Sequence, residues 1–322
     1  MRIGPFEAGE KVLLIDPKGR KYLVTLRPND RFSSHLGTIP HAEIIGRDEG
    51  ALLRSSGGAS FVAFRPIFAE YVLKMKRGAQ VLYPKDIASV LIWGDIFPGA
   101  TVIEGGGGSG ALTIALLQAV GEKGQVITYE IREDFLRQAR ANVEAFLGKV
   151  PHWVLKLTDI YAGIEEASVD RVVLDLPEGW RVTPHAARAL RPGGLFVAFF
   201  PTVPQVQQMV GAIEDEPRLR LQEVFEMVQR PWRIQGLSVR PELRMVAHTG
   251  FFVIARRLSP SCPLRSGTTP SFGETHLSNA LPSAESAGGD PRRRRPPCVE
   301  SEEDQIHRRG GRAEGGSCPD PV

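Results

Sequence analysis

The sequence predicts an α/β fold: a largely parallel sheet with helices on both faces and one antiparallel edge strand, preceded by a small all-β domain. Three observations carry this. Strand-like and helix-like segments alternate between about residues 71 and 258, the pattern of a parallel sheet wrapped by helices. Residues 1–70 hold only short apolar runs broken by Gly, Pro and polar residues. A glycine-rich turn, Glu104–Gly110 (EGGGGSG), joins a strand to a helix.

Taken in order, residues 1–70 read as strands KVLLID, KYLVTL, AEIIG, ALLRS and SFVAFRP, with no helical period of useful length. Residues 71–258 open with two helices, Tyr71–Arg77 and Pro84–Phe97. Thr101–Glu104 is a strand, Ser109–Val120 a helix and Gln125–Glu130 a strand. Arg132–Leu147 is a helix, because Leu136, Ala139, Val143 and Phe146 recur on one face. His152–Leu157, Arg171–Asp175 and Leu195–Phe200 are strands, and Pro184–Leu190 and Pro204–Ile213 helices. The last two strands, Leu219–Val228 and Val246–Arg256, have no helix between them, which predicts the antiparallel pair at one edge.

Residues 259–322 differ. Pro, Gly and Ser predominate there, and Phe272 is the one aromatic. Such a segment cannot bury enough apolar surface to offset its ordering entropy, so disorder is expected. Its arginine run, Arg292–Arg295, reads as a solvated extension in preference to an RNA-binding or targeting signal.

Composition narrows the function classes. Hydrophobic residues are 42% and charged residues 24% of the 322, the balance of a globular protein. No apolar run nears the roughly 20 residues of a membrane span, and the first residues lack a signal-peptide layout, so a cytoplasmic location is expected. Cys262, Cys298 and Cys318 all follow residue 258, so no disulfide or thiolate metal site holds the earlier residues. His35 and His41 have no third ligand at useful spacing, and no metal is expected. The tail sets 8 Lys+Arg against 9 Asp+Glu, leaving residues 1–258 at net +4. That mild excess is compatible with a nucleic-acid partner without demanding one.

The glycine turn is the first candidate site. Glycine lets a ligand approach the backbone, and the following helix points free N–H groups and partial positive charge into the same space. Either a pyrophosphate or the carboxylate of an amino-acid moiety fits there. Gly105, Gly107 and Gly110 also satisfy G-x-G-x-x-G, so a nicotinamide or flavin site stays open on these residues alone. Glu130 closes the next strand, where an acidic side chain accepts hydrogen bonds from both ribose hydroxyls of an adenosine. Asp159 follows the third strand, placed either to bind an adenine amino group or to cap a helix.

Segments outside the loop choose between these. Leu82–Asp86 (LYPKD), Glu104–Gly110 as E-x-G-x-G-S-G, Asp175–Trp180 (DLPEGW) and Ala247–Phe251 (AHTGF) resemble the tRNA (adenine-58-N1) methyltransferases. The resemblance extends from the start to about residue 258, more distinctively from residue 71. It implies a class I Rossmann-like methyltransferase sheet, S-adenosyl-L-methionine as cofactor, tRNA as substrate and a homotetramer. It further implies that Glu104, Gly106, Gly108, Ser109 and Gly110 surround the methionine end of the cofactor, with Gln80 beside them. Glu130 would hold the ribose, Asp159 the adenine side, and Asp175, next to cofactor and target base alike, would be catalytic, with Tyr83 close to that pocket. Gly105 and Gly107 stand where relatives carry side chains, which suggests a looser loop. Gly179 replaces a second proline, which suggests a more flexible pocket wall.

Methyl transfer to N1 of adenine leaves the base cationic, and a carboxylate at its 6-amino group stabilises the developing charge. This is the task expected of Asp175, at the carboxyl end of a strand where ligands of open α/β sheets bind. N1 lies on the Watson–Crick edge, so a flipped-out adenosine is expected. Arg27, Arg31, Lys74, Lys76, Arg77, Arg230 and Arg233 are candidates to grip the tRNA. The alternatives are a methyltransferase for a protein or small molecule and a non-catalytic RNA-binding homologue. The LYPKD and DLPEGW segments and the intact loop argue against them.

Overall fold

Within residues 1–70, alternating side chains build a small antiparallel sheet. β1 (Lys11–Ile15) pairs with β2 (Lys21–Thr25) and with β6 (Ser60–Phe64), and β6 pairs with β5 (Leu52–Arg54). A separate hairpin, β3 (Arg31–Ser34) and β4 (Gly37–Pro40), sets Phe32 opposite Ile39. Both side chains are buried with Phe6, Val12, Leu14, Leu26, Ile44 and Phe61 in one apolar cluster. The structure, a computed structural model, describes residues 3–78 and 80–259. The disorder expected beyond Ser259 therefore lies outside the described residues.

One predicted strand is absent: AEIIG is a 3₁₀ turn at His41–Glu43, where the His41 carbonyl accepts from the N–H groups of both Ile44 and Ile45. With Pro40 before it, the segment closes the hairpin and turns Ile44 into the core.

Helices α1 (Phe68–Lys74) and α2 (Pro84–Trp93) lead into the main sheet. Its strands are β7 (Thr101–Gly105), β8 (Gln125–Glu130), β9 (Trp153–Leu157), β10 (Val169–Leu174), β11 (Leu190–Phe200), β12 (Leu219–Glu226) and β15 (Phe251–Arg257). The order is β12-β15-β11-β10-β7-β8-β9. The five strands from β11 to β9 are mutually parallel; β15 runs antiparallel to both neighbours, one place in from the edge strand β12. Helices α3 (Ala111–Val120) and α4 (Glu133–Leu147) join α1 and α2 on one apolar cluster of the sheet. α5 (Thr183–Ala189) and α6 (Val203–Glu214) pack on the other. Between β12 and β15 a two-stranded ribbon, β13 (Trp232–Gln235) and β14 (Ser238–Pro241), carries exposed Trp232, Ile234 and Val239.

Strand order reverses between β7 and β10. This is the topological switch point at which open α/β sheets bind ligands, outside the carboxyl ends of the strands. Gly105 and Leu174 are register partners there.

Candidate functional site

The loop after β7 is tied down on three sides. The Gly106 N–H donates to the Tyr129 carbonyl at 3.0 Å, the Gly110 N–H to the Gly107 carbonyl at 2.8 Å, and the Asp175 N–H to the Gly105 carbonyl at 3.0 Å. Gly106 has φ 91°, in the left-handed region, and a Cβ there would stand 2.5 Å from the Asp175 carbonyl oxygen. Only glycine fits so close an approach. Gly106 and Gly108 are half-buried, and Gly105, Gly107, Ser109 and Gly110 are buried. The first two therefore present their backbone to the cleft.

Asn142 holds the loop from below. Its Nδ2 donates to the carbonyls of Ser109 (2.9 Å) and Lys76 (2.8 Å), and Ser109 Oγ accepts from the Gly78 N–H at 3.1 Å. Sequence alone does not single out Asn142. Its signal is an Asn flanking the apolar stripe of α4, beside Val143 and one turn after Ala139.

Two acidic residues sit against the loop. Glu104 is fully buried, and its Oε2 accepts from the hydroxyls of Thr113 and Thr128, both at 2.7 Å. Burial pushes this carboxyl up to about 8 against those two hydrogen bonds, and the charges of Asp175 and Glu130 add to the rise. Its Oε1 is buried with no partner among the described residues. Glu130, at the end of β8, is nearly buried rather than a loose surface carboxylate. Its Oε2 accepts the Gly108 N–H at 3.0 Å and its Oε1 the Arg132 N–H at 2.9 Å. A carboxylate has about four lone-pair sites, so both oxygens retain capacity for ribose hydroxyls. Asp159 is exposed, and its Oδ1 accepts the Tyr161 N–H at 2.8 Å, the turn-capping alternative of its sequence context. Half-exposed glycine backbone, the spare acceptors of Glu130 and the unpartnered Glu104 oxygen fit a nucleoside that carries an amino-acid end, as S-adenosylmethionine does.

Beside the loop lies a pocket of ≈ 270 Å³ whose lining includes Gln80, Tyr83, Asp86, Asp175, Phe199 and His248. Pro84 opens α2 with its preset φ, and Tyr83 is the N-cap, so the LYPKD segment turns Tyr83 and Asp86 toward one space. Asp175 follows β10 and is half-buried. Burial, and then the charge of Asp86, push its carboxyl up to about 7. Lys85 Nζ donates to Asp86 Oδ1 (2.7 Å), the Met227 carbonyl (2.7 Å) and Thr249 Oγ1 (2.5 Å), joining α2 to the segments around β15. At the mouth, His248 places Nδ1 2.6 Å from Glu226 Oε1 and Nε2 2.9 Å from the Pro201 carbonyl. Two acceptors call for two donors, which only the imidazolium supplies; the Pro201 carbonyl and then the Glu226 carboxylate raise its affinity for a proton.

The pocket thus gathers Gln80, Tyr83 and Asp175 from the residues singled out by sequence. It adds Asp86 and His248, whose signal lay within LYPKD and AHTGF without an assigned task. Gly179 is buried against Phe200, where a Cβ would meet the ring at 3.0 Å, so the wall is packed where a flexible one was expected. Arg27, Arg31, Lys74, Lys76, Arg77, Arg230 and Arg233 are all exposed. Among the described residues no group of three or more His, Cys, Asp or Glu is placed to hold a metal ion, and no helix is long and apolar enough to cross a membrane.

Comparison with known proteins agrees with this geometry. The family described as tRNA methyltransferase complex GCD14 subunit matches residues 68–245, and the TrmI-like N-terminal family matches residues 4–53. A tRNA (adenine(58)-N(1))-methyltransferase, TrmI, of Thermus thermophilus is 41% identical over 252 residues, 78% of this chain and 98% of the relative. A Methanocaldococcus jannaschii enzyme named for adenines 57 and 58 is 34% identical, across 76% of this chain and 94% of its own. The solved tRNA (m1A58) methyltransferase of Aquifex aeolicus superposes with a TM-score of 0.70 at 28% identity, covering 80% of this chain and 100% of that one. A SAM-dependent O-methyltransferase from Thermotoga maritima gives 0.75 at 33% identity, covering 79% and 95%. With one family matched over more than half its length and a relative matched nearly end to end, the chain belongs to the tRNA (adenine-58-N1) methyltransferases.

Proposed function

We propose that this enzyme methylates N1 of adenosine 58 in the T-loop of tRNA, with the adenine flipped out of its stack into the pocket beside Asp175. One observation carries the reading: the hydrogen bond from the Asp175 N–H to Gly105 brings the carboxylate and the cofactor loop to a single point. S-adenosylmethionine supplies an activated methyl group on a sulfonium. Gly106, Gly108, Ser109, Gly110 and Gln80 hold its amino-acid end with Glu104 beneath, Glu130 its ribose, and Asp159 the adenine side. Asp175 accepts a hydrogen bond from the 6-amino group of the target base. That orients the N1 lone pair toward the methyl carbon and stabilises the positive charge that passes from sulfur to the ring. Tyr83 and Phe199 supply flat apolar walls for the flipped base.

Residues 1–70, with an apolar cluster of their own, act as a β module beside a catalytic unit of residues 71–258. The exposed cations at 27, 31, 74, 76, 77, 230 and 233 contact tRNA phosphates. A homotetramer widens that basic surface, and the apolar ribbon β13–β14 is the face that supports such an assembly. A tRNA substrate calls for a cytoplasmic location.

Incubation of unmodified tRNA with the enzyme and labelled donor, followed by a nucleoside map, tests the reading. One methyl at N1 of adenosine 58 is expected, and the map also reads position 57. Equal labelling of free adenosine or of protein, with tRNA untouched, overturns it.

A further inference from the structure

Asp86 has no task in the scheme above, yet it is the most deeply buried ionisable group of the base pocket, with no exposed surface. Its Oδ1 is fully engaged: Lys85 Nζ donates to it at 2.7 Å and the Thr249 hydroxyl at 3.1 Å. Its Oδ2 is buried with no partner among the described residues. Asp86 is also the third residue of α2, where the partial positive charge of a helix start favours a carboxylate. Cation, hydroxyl and helix end all bear on this one carboxyl, and it lines the same pocket as Asp175.

We propose that Asp86 is a positioning residue for the proton of Asp175: held in the same pocket by Lys85 and Thr249, it favours a proton on Asp175 until the 6-amino group of the target base enters. The proposal rests on the adenine reading above. Two carboxyls in one poorly solvated site do not both ionise readily, and Lys85 lies against Asp86, at 2.7 Å. An amino group offers only donors, and its best acceptor is an ionised carboxylate. Entry of the base therefore breaks the Asp175 O–H bond and releases one proton to solvent; no other bond changes at this step. Methyl transfer follows with Asp175 ionised.

The remaining charged groups around Asp175 do not do this work. Glu104, behind it on β7, is itself kept close to neutral by burial. His248 and Glu226 pair with each other at the solvated mouth, where water screens their charges. Lys85 acts through Asp86, at 2.7 Å.

The test is kcat/KM for unmodified tRNA against pH, for the native enzyme, Asp86→Asn and Lys85→Met. The native acid limb is expected near neutrality. Asp86→Asn removes the like charge and moves that limb down by about one pH unit; Lys85→Met leaves Asp86 uncompensated and moves it up by a similar amount. Cofactor affinity by calorimetry establishes that each variant is folded. Acid limbs that coincide in all three enzymes, with only the plateau lowered, overturn the proposal. Should both variants fail to fold, the native enzyme still decides. At pH 6.5, binding of a T-arm RNA with adenosine at position 58 releases more protons than the same RNA with purine riboside there, about three-quarters of one per site for a carboxyl titrating at about 7; equal release overturns the proposal. If the nucleoside map shows no methyl on adenine N1, the underlying reading fails instead, and the two failures are told apart.

Discussion

The backbone N–H of Asp175 donates to the carbonyl of Gly105 at 3.0 Å, across adjacent parallel strands. The residue proposed to meet the target base and the loop proposed to hold the methyl donor are thereby joined at the shared carboxyl end of two parallel strands. Neither shifts without the other, which is how a sheet fixes a near-attack geometry. Asp175→Ala leaves this backbone bond in place and removes only the carboxylate. It is expected to bind S-adenosylmethionine normally while single-turnover methylation falls about 10²–10³-fold, as for loss of one charge-stabilising group. Calorimetry and rapid-quench assays on the same preparation check both halves.

Glu104 makes stability depend on pH with a predictable sign. Its folded value, about 8, lies above its ordinary 4.5, so the native state holds the proton more tightly than the unfolded chain. The contribution of this group is fully present below about 4.5 and is lost as pH rises through about 8, with a slope of up to about 1.4 kcal/mol per pH unit. Glu104→Gln keeps an acceptor between Thr113 and Thr128 and has no proton to lose. Its unfolding midpoint in urea is expected to gain on the native protein steadily from pH 5 to pH 8. A constant difference over that range would show that Glu104 is ionised in the fold.

Gly107 faces Thr128. A Cβ at Gly107 would meet the Thr128 methyl at 2.7 Å. Gly107→Ala is expected to weaken cofactor binding about tenfold, about 1.4 kcal/mol. Adding Thr128→Ser removes that methyl, keeps the hydroxyl for Glu104, and is expected to restore most of the affinity. Equal affinities for the single and double variants would mean that the contact is not what limits the loop.

Asn142→Ala strips the donors from the carbonyls of Ser109 and Lys76. The buried Ser109 carbonyl left without a partner costs about 1–3 kcal/mol, while the exposed Lys76 can turn to water. Unfolding by urea is expected to report a loss of that order, with weaker cofactor binding because the loop loses its support.

Trp232 and Ile234 on the exposed ribbon are expected to hold copies of the chain together. Replacing both with Ser should reduce the mass seen in sedimentation while leaving cofactor affinity unchanged.

The sequence displays the main sheet well because its strands and helices differ in period and are punctuated by Gly and Pro. Two hairpins escape that reading. In β3–β4, Ser and Gly occupy several of the positions, and a single facing pair, Phe32 and Ile39, supplies the burial. In β13–β14 the apolar side chains face outward, so alternation has no interior to report. The cofactor loop was legible because backbone demands restrict it to glycine. The extra glycines carry the opposite of the slack they suggest: Gly105 and Gly107 are buried, and a Cβ on Gly105 would press on Leu174 at 2.6 Å. Asp86 and Lys85 were visible only as part of a motif. Met227 and Thr249, the distant partners of Lys85, lie 142 and 164 positions further along the chain, and no local pattern reports a contact of that span.

The position of β15 sets an order of assembly. It is the last of the described strands to be made, yet it occupies an interior slot between β11 and β12. The strands that carry the cofactor loop, β7 and β8, pair with earlier neighbours and are available well before it. The pocket beside Asp175 is not, because Thr249 and His248 arrive only with the approach to β15. On a ribosome, the residues of the glycine loop therefore emerge long before those that finish the pocket beside it, and both apolar clusters of the sheet wait for the side chains of β15.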